Sequence, residues 1–179
     1  VIQVPGGETW LVDAGGRPFG NPEPTDSREE TLLAQRTDPG EQALWPFLRA
    51  ERVRRIDLLV VSHAHPDHYG GLRALLAHMP ISTVWINDDV SDDVAWLELV
   101  AQMRKKGVRV LGVAAGQTHT RGGARMEVLS RAPHLSRTLN DNSLVASFSF
   151  GTRRILFPGD LEADGERLLL RDHDALGHD

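Results

Sequence analysis

Apolar and polar positions along the first dozen residues follow the pattern of a β-hairpin. Val1-Ile2-Gln3-Val4 leads into Pro5-Gly6-Gly7-Glu8, and Thr9-Trp10-Leu11-Val12 then ends on Asp13-Ala14-Gly15-Gly16. Residues 17 to 38 are rich in Pro, Gly, Asp and Glu, which predicts an exposed loop, placed here near the mouth of a site. Between Glu41 and Glu51, Leu44, Trp45, Phe47 and Leu48 recur at roughly helical spacing, as an amphipathic helix packed on a sheet requires. The run Ile56-Asp57-Leu58-Leu59-Val60-Val61 reads as a strand and Gly70 to Leu76 as a short helix. Ser82 to Ile86 is the next strand, and Asp92 to Lys106 the next helix, with Val94, Leu97, Val100, Ala101 and Arg104 as its periodic positions. Lys105-Lys106-Gly107 marks its end, with positive charge and glycine where the helix dipole and C-terminal geometry favour them. Val108 to Val113, Arg125 to Leu129, Leu144 to Phe150 and Arg154 to Phe157 read as further strands. A hairpin, two βα units and then several strands fit two sheets with helices outside.

Composition narrows the classes. A chain of 179 residues that is 40% hydrophobic can bury a sizeable core, so residues 1 to 179 are expected to form one domain. No run of 18 apolar residues and no basic-then-apolar leader occurs, so neither a membrane span nor a signal peptide is expected in this segment. The absence of cysteine excludes disulfides and thiolate ligands. A net charge of -5 argues against a general electrostatic grip on nucleic acid, leaving local patches such as Arg52, Arg54 and Arg55, or Arg121, Arg125, Arg131 and Arg137, most simply read as solvated surface.

The chemistry concentrates in His63-Ala64-His65-Pro66-Asp67-His68-Tyr69-Gly70-Gly71, directly after the apolar run. Side chains two apart on an extended stretch point the same way, so His63 and His65 can grip one cation. Asp67 and His68 follow where the chain turns into the helix, and can hold a second. Imidazole and carboxylate suit zinc, manganese or iron. A second element, Arg154-Ile155-Leu156-Phe157-Pro158-Gly159-Asp160, ends a strand on a carboxylate at a sheet edge.

The histidine run resembles the HxHxDH signature of the metallo-β-lactamase superfamily. That resemblance implies an αββα four-layer sandwich, with two divalent metal ions, Zn2+ or Mn2+, at the sheet edge and hydrolytic chemistry. It implies His63, His65, Asp67, His68 and Asp160 as metal ligands, with Asp160 bridging. Asp13 resembles the residue that supports the histidine loop, and an Asx turn closing the strand is an equal alternative. Asn140-Asp141-Asn142-Ser143, Asp38-Pro39-Gly40-Glu41 and Gly159-Asp160-Leu161-Glu162-Ala163 further resemble the C-terminal domain of the ComEC family of DNA-uptake channels. The implied activity is a nuclease acting on DNA, single-stranded for preference, on the periplasmic or extracellular face, with the membrane channel part of the same parent polypeptide as partner. Asp67 would also accept the proton of the attacking water, and nearby arginines would hold flanking phosphates.

Two departures from the superfamily pattern stand out. A third metal histidine has no clean counterpart; His119, His134, Asn140, Asp141 and Asn142 are the alternatives, a carboxamide oxygen being tolerable for manganese and weak for zinc. A first strand and a last histidine-bearing strand are also missing, so the 179 residues read as a fragment truncated at both ends, with His173 and His178 solvated. The alternative functions are a small-molecule ester, thioester or lactam hydrolase of the same superfamily, cytoplasmic if it stands alone, and a non-catalytic DNA- or partner-binding domain.

Overall fold

The computed structural model describes residues 1–17 and 38–175, with side chains placed to Asp172. The expected loop thus lies almost wholly outside the described residues, as does His178. Among the described residues, nine strands form two sheets. In the first, β1 (Ile2–Gln3), β2 (Thr9–Val12), β3 (Ile56–Val60), β4 (Ile81–Ile86) and β5 (Arg109–Gly112) lie in chain order. β1 pairs antiparallel to β2, and β2 through β5 run parallel. The second sheet is the antiparallel meander β6 (Thr118–Arg121), β7 (Ala124–Val128), β8 (Ala146–Phe150) and β9 (Arg153–Phe157).

Strand periodicity divides the core in two. Leu11, Leu59, Val61, Val84 and Ile86 point outward from the first sheet onto the helical layer. Their neighbours Trp10, Leu58, Val60 and Trp85 point the other way, against Ala124, Met126, Val128 and Ala146 of the second sheet. The helical layer comprises a π-helical turn at Gly40–Leu44, α1 (Trp45–Ala50), the single turn α2 (Pro66–Tyr69), α3 (Leu72–His78) and α4 (Val94–Lys105). On the side of the second sheet, α5 (Ala163–Ala175) brings Leu168 and Leu169 to a small cleft shared with Ser130 and Val145.

Three features differ from the sequence expectation. α4 buries Trp96, Leu99, Val100 and Met103, whereas Val94 and Leu97 are 66% and 51% exposed. Two stripes of helical spacing interleave here, and the bulkier one takes the interior because it removes more apolar surface from water. β6 was not expected, since Thr118-His119-Thr120-Arg121 carries no apolar alternation; it is recruited by pairing with β7. α5 is likewise unexpected, no element being read from the sequence after Gly159-Asp160. β9 has β8 as its one partner among the described residues, which leaves Ile155 and Leu156 about half-exposed.

Candidate metal centre

The centre is built where β2, β3 and the segment after β9 end together. β2 ends on Asp13, which adopts the left-handed conformation (φ 52) that Asp tolerates better than most residues. This backbone turn aims its carboxylate at the residue after β3. Oδ1 accepts from the Ser62 N–H at 2.8 Å, and Oδ2 accepts from the Ser62 hydroxyl at 2.9 Å and lies 2.9 Å from His68 Nδ1. The backbone of the same turn is laced to the histidine loop, with Ala14 N–H donating to the His68 carbonyl and Gly71 N–H to the Gly15 carbonyl. A Cβ on Gly16 would overlap the Pro66 carbonyl, so glycine is required for this approach.

Ser62 also lies 3.1 Å from Nδ1 of both His63 and His68. The proton arrangement that fits these contacts has Ser62 donating to Asp13 and accepting from the Nδ1–H of His63, which leaves a lone pair on His63 Nε2. That atom is 2.9 Å from His65 Nδ1. His63 is 1% exposed, and burial, reinforced by the neighbouring His68 and His65, lowers its pKa to about 4. His68 moves the opposite way, to about 9, because its hydrogen bond to Asp13 outweighs burial and the charges of Asp13, Asp160 and Asp67 add to it.

Asp160 reaches the cluster from the second sheet. Its Oδ1 lies 3.3 Å from His68 Nε2, and its N–H donates to Ser143 Oγ at 3.3 Å. Gly159 precedes it at φ 60, and a Cβ there would press on both Ser143 and Ser62. His63, His68 and Asp160 each offer an atom within 4.8 Å of the others, the arrangement among the described residues that best suits a cation. This donor set fits a divalent metal: one imidazole is held neutral by burial, a second is oriented by a carboxylate, and a solvent-facing carboxylate completes the set. The grouping crosses the two pairs read from the sequence, since His63 stands with His68 rather than with His65 alone. Asp67, half-buried in the first turn of α2, is outside the trio.

Most of the alternatives for a third histidine make other contacts. His119 Nε2 lies 2.7 Å from Glu8 Oε2, and its ring packs edge-on against Trp10. His134 is exposed, with Nδ1 engaged by Ser136. Asn142 accepts from the His134 N–H and donates to Asp89 Oδ2 and the His134 carbonyl. Asp141 Oδ1 accepts from the Gly165 N–H at the start of α5. Asn140 donates to Glu162, while its Oδ1 is buried without a hydrogen-bond partner among the described residues. The segment also acts as a clamp: Leu144 N–H bonds the Ser62 carbonyl at 2.7 Å, and Ser143 holds Asp160. Sequence reading missed Ser62, a small polar residue with no spacing signal of its own, and read Ser143 only as part of the Asn140-Asp141-Asn142-Ser143 motif, with no role of its own. Arg52, Arg54 and Arg55 lie before β3, at the end opposite the metal centre, and so cannot hold phosphates that flank it directly.

Two parallel strands ending on an Asp and a histidine loop, with a carboxylate delivered by a second sheet, define a metallo-β-lactamase-type domain. The family described as a beta-lactamase superfamily domain matches residues 11–179, and the chain belongs to it, with that family's αββα sandwich. ComE operon protein 3 of Bacillus subtilis (strain 168) is 27% identical over 157 residues, which take in 88% of this chain and 20% of that protein. The chain thus spans about a fifth of the length of this relative. Among solved structures, CmlA, a diiron beta-hydroxylase from Streptomyces venezuelae, is 20% identical with a TM-score of 0.41, covering 63% of this chain and 22% of that one. A mutant of the same hydroxylase gives 19% and 0.40, covering 60% and 21%.

Proposed function

We propose that this chain is a metal-dependent phosphodiesterase domain that cleaves DNA, single-stranded for preference, as part of a ComE-type DNA-uptake protein. The convergence of His63, His68 and Asp160 supports it most directly, and the similarity to ComE operon protein 3 supports the choice of substrate. His63, His68 and Asp160 hold a divalent ion, zinc or manganese, with His65 beside His63 as a further donor and Asp67 next to His68 as the remaining candidate for a second ion. A bound divalent cation supplies charge neutralisation for a phosphoryl group and acidifies water near neutral pH. Asp67 takes the proton from the attacking water, Asp13 and Ser62 fix the imidazoles, and the open side at Asp160 admits a polymer. No helix among the described residues is long and apolar enough to cross a membrane. In this reading the membrane channel belongs to the rest of the parent polypeptide, and the domain works on the periplasmic or extracellular face.

The test is metal content together with cleavage of a labelled single-stranded oligonucleotide. Chelation should abolish cleavage, and zinc or manganese should restore it. His63→Ala and Asp160→Ala should lower bound metal, while Asp67→Ala should lower kcat more than metal content. Turnover of lactams or thioesters without nuclease activity would point instead to a small-molecule hydrolase.

A further inference from the structure

The end of the first sheet opposite the metal centre carries a second feature that the cleavage site does not use. β2 and β3 run parallel, with Thr9 N–H donating to Asp57 Oδ2, so their N-terminal ends open side by side onto a cleft of about 420 Å³. Gln3, Gly7, Glu8 and Thr9 line it from the hairpin, and Arg52, Arg54 and Arg55 from the segment between α1 and β3. Its acidic groups are already engaged. Glu8 accepts from Trp10 Nε1 at 2.9 Å and pairs with His119 and Arg121, while Asp57 pairs with Arg55 and the Thr9 N–H. Among the described residues, Arg52 and Arg54 are exposed and make no ion pair.

Arg52 also sits where glycine is the usual residue. Val53 N–H bonds the Leu48 carbonyl and Arg52 N–H the Arg49 carbonyl, the closing pattern of a helix whose next residue is left-handed, and Arg52 takes that conformation at φ 58. An arginine in this conformation carries backbone strain that a glycine would not, and among the described residues its guanidinium is left free at the cleft.

We propose that this cleft is an anion site for the phosphates of a single-stranded nucleic acid, with Arg52 and Arg54 as the free cations and Arg55 as a third held on Asp57. A chain with net charge -5 has no general grip on a polyanion, so affinity has to come from a local set such as this one. The cleft is concave and has no projecting apolar rim of its own, Val4 and Val53 being buried; it suits one phosphate backbone better than a membrane, which apolar side chains would enter. β3 and its extension to Ser62 separate the cleft from the metal centre by about 20 Å at an ordinary strand rise. Only a substrate of several nucleotides reaches both. The inference rests on the nuclease reading for its purpose but has its own readout.

Binding is measured by fluorescence anisotropy with an oligothymidylate dodecamer, without added divalent metal, across a salt series. Arg52→Gly with Arg54→Gln should weaken binding by about tenfold and reduce the salt slope by about 1.4, the value for two phosphate contacts on a single strand. Arg104→Gln, an exposed arginine on α4, should change neither. Arg52→Gly alone relieves the backbone strain, so it should melt at a higher temperature while binding more weakly, a combination that loss of folding cannot produce. If the nuclease reading also holds, the double variant loses kcat/KM on the dodecamer and keeps it on a dinucleotide. Absence of phosphodiesterase activity in the unaltered chain, with arginine-dependent binding intact, would sink the nuclease reading and leave the anion site standing. Unchanged affinity and salt slope in the variants, no DNA binding by the unaltered chain, or arginine-dependent binding to phosphatidylglycerol vesicles in place of DNA would overturn the anion-site proposal.

Discussion

Asp13 and His68 meet at 2.9 Å between Oδ2 and Nδ1, and this contact orients the opposite ring nitrogen, Nε2, at Asp160 from the second sheet. One carboxylate at the end of β2 thereby sets both the direction and the charge of an imidazole on the histidine loop. The arrangement is the usual way in which a partner outside the ligand set fixes a histidine for metal binding. It also explains why Asp13 takes a left-handed backbone: a turn of ordinary handedness would carry the carboxylate away from Ser62 and His68.

The first prediction concerns that pair in the chelated chain. His68 has its folded pKa raised to about 9, chiefly by the hydrogen bond to Asp13. A raised imidazole contributes stability that is fully present below its ordinary value of 6.5 and is lost as pH rises through about 9. Thermal melts between pH 6 and 10 should therefore show a decline that Asp13→Asn flattens, with a difference on the order of 2 kcal/mol at the acid end after allowance for solvent. Parallel pH profiles for the two proteins would refute the assignment.

A second prediction follows from Gly159. Its φ of 60 and the crowding of a Cβ by Ser143 and Ser62 mean that Gly159→Ala must move Asp160 or strain the turn. The cost should be about 1 to 3 kcal/mol of stability. Metal affinity should fall with it, because Asp160 is the one member of the trio supplied by the second sheet. Calorimetric titration with zinc checks this, and unchanged affinity in a destabilised variant would remove Asp160 from the ligand set.

Much of the centre is legible in sequence because it depends on local order. The apolar run into His63, the loop to Gly71 and the Gly-Asp after β9 are each contiguous, and local periodicity fixes where their side chains begin. Which of them come together is not local: His63 stands with His68 because Ser62 contacts both rings and Asp13 holds Ser62 and His68, and that follows from β2 lying beside β3 in the fold. The same limit explains the misplaced face of α4, where only packing against the sheet separates two apolar stripes, and the unexpected β6, whose polar residues pair because β7 offers an edge. Asn140, Asp141 and Asn142 are legible in sequence as oxygen ligands. In the fold this segment fastens the end of β3 to the second sheet and α5, a relation across 17 residues or more in either direction.

Asn142 gives a third prediction. Its side chain satisfies the His134 N–H and carbonyl and reaches Asp89, and it is 3% exposed. Asn142→Ala should cost about 2 to 4 kcal/mol by stranding these groups. Metal bound per folded molecule should stay near that of the unaltered chain, measured by elemental analysis of protein that elutes as native. Loss of metal without loss of stability would show that Asn142 is a ligand after all.

The last prediction concerns acid stability at the other end of the sheet. Burial acts to raise the pKa of Glu8, but hydrogen bonds from His119 and Trp10, with the charges of His119 and Arg121, outweigh it and hold the carboxyl below its ordinary 4.5. A depressed carboxylate contributes stability that is present above the ordinary value and is lost as pH falls through the lower folded one. Glu8→Gln keeps an acceptor for Trp10 and removes the charge facing His119 and Arg121. The substitution should therefore lower the melting temperature at pH 6, and the gap to the unaltered chain should close as pH falls below the ordinary 4.5 and through the lower folded value. Because Glu8 also lines the arginine cleft, its removal leaves more uncompensated positive charge there, so dodecamer binding at pH 7 should strengthen even as the fold weakens. A variant that loses stability equally at every pH would show that Glu8 acts through packing and neutral hydrogen bonds rather than through its charge.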